Sequence, residues 1–306
     1  MSQWIVLVVI AQFINAIVAI IDKYLVSSKR VGNPITYTFY IGILSSLSIL
    51  VFLFGSITIP LISLDLPSFS NIAFISFKEL ILLVVVSVSF LGALVTLFSA
   101  FRDADTSDVV PVVGSVAAIF TLGLSTLLLG SVLTGGFIWG FILLIVGMLM
   151  VSHFRFSKKT AMYSIIAGAL FGLNIVTMKL LFLETNFDNA FFWSRIGIAL
   201  FALLLLFKIP KKTKTKGGKT SSWAIILGNK VLAGIAGLLI LKAIDVGDVP
   251  IVQALGGLQF LFLLVFALFL GNKTPYSCGD NCTKRELVQK IISVIIISIG
   301  FAFLFI

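Results

Sequence analysis

Four cationic residues, Lys23, Lys179, Arg195 and Lys230, fall inside long apolar stretches of the sequence. A charge within a membrane span costs about 2.5–3.5 kcal/mol on insertion scales, so each one calls for a partner or a function. Lys230 is the deepest, about 12 Å from the nearer end of its stretch at 1.5 Å per helical residue. We therefore expect Lys230 to face an internal cavity and contact a substrate.

The other three cations have less demanding interpretations. We expect the lysines at 23 and 179 to lie near helix ends, with their ammonium groups extended towards lipid head groups. Asp22, next to Lys23, is expected to mark the same interfacial helix end. For Arg195 two interpretations stay open, namely hydrogen bonds to backbone carbonyls of neighbouring helices and contact with a substrate.

Neutral amide side chains are scattered through the same apolar stretches. Their usual role is hydrogen bonding between helices, worth about 0.6 kcal/mol on average, but together they indicate a partly polar cavity. The candidate substrate contacts are Lys230, Arg195, Lys179, Asn229, Asn174, Asn15 and Gln253.

The sign of the charges favours one class of ligand. The acidic residues Asp22, Glu79, Glu184 and Asp188 all lie near the ends of apolar stretches, so no carboxylate is expected deep in a span. A cavity edged by Lys and Arg suits a carboxylate or a phosphate group. The predicted substrate is therefore a small molecule that is anionic or zwitterionic.

The elements that must position these residues are membrane helices. Of 306 residues, 59% are hydrophobic and only 11% are charged, which is too little polar surface to cover a soluble domain. A membrane span needs about 20 apolar residues. The sequence predicts an all-α integral membrane protein with ten spans, at residues 3–26, 36–54, 80–101, 109–130, 135–152, 160–183, 188–207, 222–242, 249–270 and 288–306.

A hairpin sequence occurs twice, as Asp105-Thr-Ser-Asp108-Val-Val-Pro111 and as Asp245-Val-Gly-Asp248-Val-Pro250. We expect the aspartates and prolines to form tight turns, and the aspartates to cap the fourth and ninth spans. Asp108 is placed as a helix N-cap, with Pro111 in the first helical turn. The repetition predicts two five-helix units, residues 1–152 and 160–306, joined by a basic linker at 153–159. Because five is odd, the two repeats must have inverted orientations, as in many alternating-access carriers.

The loop charges predict the orientation. The net charge is +10, with sixteen Lys and Arg residues in or beside the odd-numbered loops and two in the even-numbered loops. By the positive-inside rule the odd loops are cytoplasmic, and both termini are extracytoplasmic. The basic residues are expected to meet lipid head groups of the bilayer, and no nucleic acid partner is expected. Cys278 and Cys282 would then be reduced thiols on the cytoplasmic side.

The duplicated five-span units resemble the EamA family of the drug/metabolite transporter superfamily. The likeness includes the segment from Phe98 to Val151, with its charged turn, Pro111 and the glycines Gly140 and Gly147. Two features differ from that family: Ser131 and Asn272 stand where a Glu is usual, and members generally keep both termini in the cytoplasm. The resemblance implies a ten-helix secondary transporter of a small metabolite, most simply an exporter, in the cell membrane.

Other function classes are weighed against this hypothesis. A membrane-embedded enzyme is disfavoured because the sequence has one histidine, His153, and no metalloprotease or nucleophile-elbow motif. A flippase for a lipid-linked phosphate stays open, since its head group also suits a cationic cavity. A channel is disfavoured for lack of a filter-like motif. No cofactor or metal is expected, and the coupling ion, H+ or another, and the oligomeric state are left open.

Overall fold

The computed structural model describes residues 3–27, 33–55, 57–59, 64–104, 106–132, 135–152, 157–209, 219–270 and 284–303, and these are almost entirely helical. Two short strands, Thr58–Ile59 and Leu64–Asp65, pair in antiparallel fashion. The described part of the chain contains eleven α-helices, in chain order α1 Gln3–Ser27, α2 Pro34–Ser45, α3 Phe77–Asp103, α4 Thr106–Leu129, α5 Gly136–Val151, α6 Lys158–Glu184, α7 Phe187–Leu204, α8 Lys219–Val246, α9 Val249–Ala254, α10 Leu258–Leu270 and α11 Lys284–Phe303.

Three helices continue in the tighter 3₁₀ form. Helix α2 extends through Ser46–Phe54 and α7 through Leu205–Lys208, while Leu255–Gly257 joins α9 to α10. With these extensions, every predicted apolar run coincides with helix, with ends displaced by a few residues. Within the described residues, seven helical segments are long and apolar enough to cross a membrane, and three shorter apolar helices lie at Gly136–Val151, Val249–Leu263 and Ile291–Phe303.

Local sequence sets several helix starts. Asn33 caps α2 by accepting from the Ile35 N–H, with Pro34 in the first turn where its missing N–H costs nothing. Ser76 and Glu79 form a reciprocal capping box at the start of α3. Helix α4 ends at Leu129, and Gly130 takes a positive φ of 66°, a backbone conformation that suits a residue without a Cβ.

The two repeated hairpins differ in detail. In the second, the prediction is confirmed, because Asp248 caps α9 through Ile251 N–H and Pro250 lies in the first turn. In the first, the expected N-cap at Asp108 is wrong. Helix α4 already begins at Thr106, which puts Asp108 in its first turn and Pro111 inside the helix. An acidic group in the first turn still stabilises the helix dipole.

The remaining turn predictions have mixed outcomes. Asp245 lies inside α8 rather than in a turn, and its carboxylate is 3.7 Å from the Lys242 ammonium. Asp105 falls outside the described residues, as do Cys278, Cys282 and Asn272.

Helices that are distant in sequence pack in pairs: α1 against α8, α3 against α6, α2 against α7, and α5 against α11. Glycines allow several close approaches. A Cβ on Gly168 would lie 2.7 Å from the Val113 carbonyl oxygen, and one on Gly300 would lie 3.1 Å from the Gly140 carbonyl oxygen. The small residues therefore bring helix backbones together, as small-xxx-small spacing predicts in lipid.

The connection between α2 and α3 folds back onto the start of α7. The side-chain amide of Asn71 donates to the Asp188 carboxylate at 2.8 Å, and the Ala73 N–H donates to Asn189 at 3.0 Å. The Trp193 indole N–H donates to the Ala73 carbonyl at 2.9 Å. An exposed ion pair between Lys78 and Glu184, at 2.5 Å, joins α3 to α6 at the same end of the bundle.

Candidate functional site

A buried group of four polar side chains joins α1, α2 and α8, and we call it the Asp22 cluster: Asp22, Tyr37, Asn229 and Lys230. One carboxylate oxygen, Oδ1 of Asp22, accepts from all three partners. The Asn229 amide donates at 2.6 Å and the Lys230 ammonium at 2.7 Å, and the Tyr37 hydroxyl is the third donor. The ammonium also lies 5.0 Å from the centre of the Tyr37 ring, within range of a cation–π interaction.

The ion pair in the Asp22 cluster is almost completely shielded from solvent. The side chains of Lys230 and Asp22 are 8% and 11% exposed. An ion pair at such a depth survives only with good geometry and additional hydrogen bonds, which Tyr37 and Asn229 supply. Asp22 was expected at an interfacial helix end, and its carboxylate is instead paired inside the protein. Lys230 is as buried as expected, but a carboxylate already neutralises its charge.

Lys23 and Lys179 occupy equivalent positions at the ends of two other helices. The ammonium of Lys23 donates to the carbonyls of Phe101 and Ala104 at 2.9 and 2.6 Å, at the C-terminal end of α3. The ammonium of Lys179 donates to the carbonyls of Ile244 and Asp245 at 2.9 and 2.7 Å, at the end of α8. Each lysine thus satisfies orphan carbonyls and the negative end of a helix dipole.

These contacts correct the expectation that both lysines extend to lipid head groups. Lys23 is 7% exposed, and both ammonium groups are used inside the protein. Lys179 also lies far from the Asp22 cluster. Its partner Ile244 follows Lys230 by fourteen residues on α8, which is about 21 Å along the helix axis. The structure therefore does not bring Lys179 and Lys230 to one site.

Replacing Lys179 with Met is expected to lower the free energy of unfolding by about 3 kcal/mol, the lower end of the sum for its two part-buried hydrogen bonds. Hydrogen bonds to a charged group contribute about 1.5–3 kcal/mol each, and Lys179 makes two. Unfolding of the purified protein in detergent, followed by circular dichroism, measures the loss. Lys23→Met should lose a similar amount, while Lys78→Met, at an exposed ion pair, should stay within about 0.5 kcal/mol of the unmodified protein. Equal stability of all three variants would contradict the assignment.

Arg195 is the least satisfied cation in the described chain. Its Nε is buried without a hydrogen-bond partner, and no ion pair involves its guanidinium among the described residues. Its Cζ lies 4.7 Å from the centre of the Phe191 ring, which stacks on Phe187 at 5.7 Å. The Lys242 ammonium lies 4.0 Å from the Phe187 ring, so two cations flank a pair of stacked rings.

The amide candidates divide between helix packing and the Asp22 cluster. Asn174 donates to the Val86 carbonyl at 2.8 Å and to Ser89 at 3.3 Å, which joins α6 to α3. Asn15 donates to Gln12 at 3.4 Å, and its carbonyl accepts from Gln259 at 3.2 Å. Gln253 is half-buried in α9. Asn229 alone joins a charged group, and its Oδ1, in a residue 1% exposed, has no partner in the described part of the chain.

Two further observations bear on the chemistry. Burial raises the pKa of the Asp248 carboxyl above its ordinary value, while the Ile251 N–H and the charge of Lys179 act in the opposite direction. Within the described ranges, no group of three His, Cys, Asp or Glu side chains is placed to bind a metal ion. Among the described cations inside the apolar helices, Lys230 is in an ion pair, Lys23 and Lys179 cap helices, and Arg195 has no hydrogen-bonded acceptor.

Comparison with known proteins identifies a fold. No family model matches the chain, and no curated protein matches it. A solved structure described only as "Crystal structure of protein" matches over 96% of this chain and 95% of its own, with a TM-score of 0.64 and 16% sequence identity. Identity at that level shows a shared fold alone. Together with the seven long apolar helices, the architecture is consistent with a multi-pass α-helical membrane protein.

Proposed function

We propose that this protein is a secondary carrier for a small organic anion, built as ten spans in two inverted five-helix repeats. The observation that carries the substrate class is Arg195. A guanidinium with a buried Nε and no hydrogen-bonded acceptor among the described residues is costly to keep in a helix long enough to cross a membrane. A carboxylate or phosphate group would satisfy its planar donors in pairs.

The two lysine caps support the inverted repeat. In each proposed repeat, a lysine on the first helix caps the C-terminal end of the third helix: Lys23 caps α3 and Lys179 caps α8. If all ten helical segments cross the membrane, these caps lie at opposite surfaces. The helix packing has the same symmetry. In the proposed repeats α1 corresponds to α6 and α3 to α8, and α1 packs on α8 as α6 packs on α3. Inverted repeats of this kind support alternating access around a central site.

The same duplication is the reason for proposing kinship with the EamA family. Loop charge favours extracytoplasmic termini in a cell membrane, and export is the direction we propose. The ion pair of Asp22 with Lys230 changes which cation is available to a substrate. Because Asp22 neutralises Lys230, the net positive charge available to a substrate comes first from Arg195. A small anion, or a zwitterion presenting its carboxylate, fits that balance.

Uptake by purified protein in liposomes tests the proposal. The panel comprises radiolabelled organic acids, sugar phosphates and amino acids, with a fluorescent lipid phosphate as the flippase arm. We expect at least one water-soluble anion or zwitterion to enter faster than into protein-free liposomes, and Arg195→Gln to abolish that uptake. Movement of the lipid phosphate alone would favour a flippase. Absence of transport for every compound would overturn the proposed function.

A further inference from the structure

The Asp22 cluster has the geometry of an anion-binding site that already contains an occupant. Three donors from two helices, the Tyr37 hydroxyl, the Asn229 amide and the Lys230 ammonium, converge on one oxygen atom. Convergent donors with one cation are how proteins bind the oxygen of a carboxylate or phosphate. Here that oxygen is supplied by the protein itself, from Asp22 on α1.

Resting on the proposed function, we propose that Asp22 is an internal counter-ion that a substrate anion displaces. In this structure Asp22 neutralises Lys230, whose charge would otherwise be buried without a partner. A carboxylate or phosphate oxygen of the substrate then takes the place of Asp22 Oδ1 and accepts from Asn229 and Lys230. One anion replaces another at the donors, and the displaced Asp22 carboxylate, which stays on α1, then takes up a proton or finds other donors.

The exchange has a mechanical consequence. Asp22 lies on α1, and two of its three donors lie on α8, so the cluster is a polar tie between these packed helices. Displacement of the carboxylate removes that tie. Substrate binding would therefore free α1 from α8 at this level. A ligand shifts a conformational equilibrium only if it interacts differently with the two states, and loss of this polar tie supplies such a difference.

The cluster occurs at only one of the two helix crossings that the proposed repeats relate. Among the described residues, the buried polar contacts at the crossing of α3 with α6 are neutral: Asn174 donates to the Val86 carbonyl and to Ser89. The ion pair of Lys78 with Glu184, which also joins these helices, is exposed. The unpartnered Oδ1 of Asn229 also leaves one buried acceptor for a donor group of the incoming ligand.

The direction in which Asp22→Asn changes anion affinity tests the proposal. Asp22→Asn removes the competing charge and keeps the shape, so we expect the apparent Kd of anions to fall at least fivefold. A purely structural ion pair predicts unchanged or weaker binding, because its loss only disturbs the fold. The probes are sodium acetate, succinate and inorganic phosphate at constant ionic strength, with binding measured by calorimetry and by thermal shift of the full-length protein.

A double variant keeps the test decisive if Asp22→Asn folds poorly. Asp22→Asn with Lys230→Gln is neutral and similar in shape, and it should fold while binding these anions at least fivefold more weakly than Asp22→Asn or, if that variant cannot be purified, than the unmodified protein. Lys78→Gln with Glu184→Gln, at the exposed ion pair, is the matched control and should bind as the unmodified protein does. Binding by Asp22→Asn no tighter than that of the unmodified protein, or undiminished binding by the double variant, would overturn the inference.

Failure of this inference is distinguishable from failure of the proposed function. If the liposomes transport a solute but Asp22→Asn binds anions no more tightly, the carrier stands and Asp22 is structural. If Asp22→Asn binds anions tightly and no solute is transported, the anion site stands and the carrier assignment falls.

Discussion

Replacing Lys230 with Met is expected to lower the free energy of unfolding by about 3 kcal/mol. Removal of one partner from a buried ion pair costs about 3–5 kcal/mol, because the other charge is left without compensation. The lower end applies here, since Asp22 keeps the hydrogen bonds from Tyr37 and Asn229. The loss is measured by denaturant unfolding in detergent, followed by circular dichroism.

The effect should depend on Asp22. In the double variant Asp22→Leu, Lys230→Met, both charges are gone, and apolar replacement of a buried pair is often neutral or stabilising. We therefore expect the double variant to recover most of the lost stability. If Lys230→Met is as stable as the unmodified protein, or if the double variant is less stable than Lys230→Met, the ion pair does not have the role assigned to it.

Replacing Arg195 with Gln is expected to weaken binding of the transported anion by about ten- to a hundredfold. A hydrogen bond to a charged group contributes about 1.5–3 kcal/mol, and 1.4 kcal/mol corresponds to a factor of ten. The same position should limit stability, because the guanidinium lacks an acceptor among the described residues. Arg195→Met is therefore expected to raise the melting temperature of the ligand-free protein.

Matched variants separate charge from geometry at this position. Arg195→Lys keeps the charge but lacks the planar fork, so its binding should be intermediate. Arg102, which is exposed at the end of α3, provides a control, and Arg102→Gln should bind the anion normally. A structural role for Arg195 predicts the reverse pattern, in which Arg195→Met lowers the melting temperature and anion affinity follows the loss of folded protein.

The helices were predictable from sequence because their signals are local. Apolar runs long enough to span a membrane, and the residues that bound them, lie within one segment of the chain. The cap at Asp248 was found for the same reason. The cap at Asp108 was misplaced because the helix starts at Thr106, ahead of the proline that was taken as the start signal.

The polar contacts were not predictable because they join distant segments. Asp22 and Lys230 are separated by 208 positions, and the distance of Asp22 from its own helix end says nothing about how α8 covers it. Lys179 was expected at a head group because its depth was judged along α6 alone, without the carbonyls of α8. The sequences Ala19-Ile-Ile-Asp-Lys23-Tyr-Leu and Ile175-Val-Thr-Met-Lys179-Leu-Leu are alike. Equivalent positions in the two proposed repeats would have predicted equivalent contacts for the two lysines.

Counterflow in liposomes tests the central claim of a carrier most directly. Liposomes containing the protein are loaded with the unlabelled anion identified by uptake, and entry of a trace of labelled anion is followed. An alternating-access carrier predicts transient accumulation of label above its equilibrium level, which Arg195→Gln should abolish. Entry that only approaches equilibrium, at a rate independent of the internal anion, would contradict the carrier assignment.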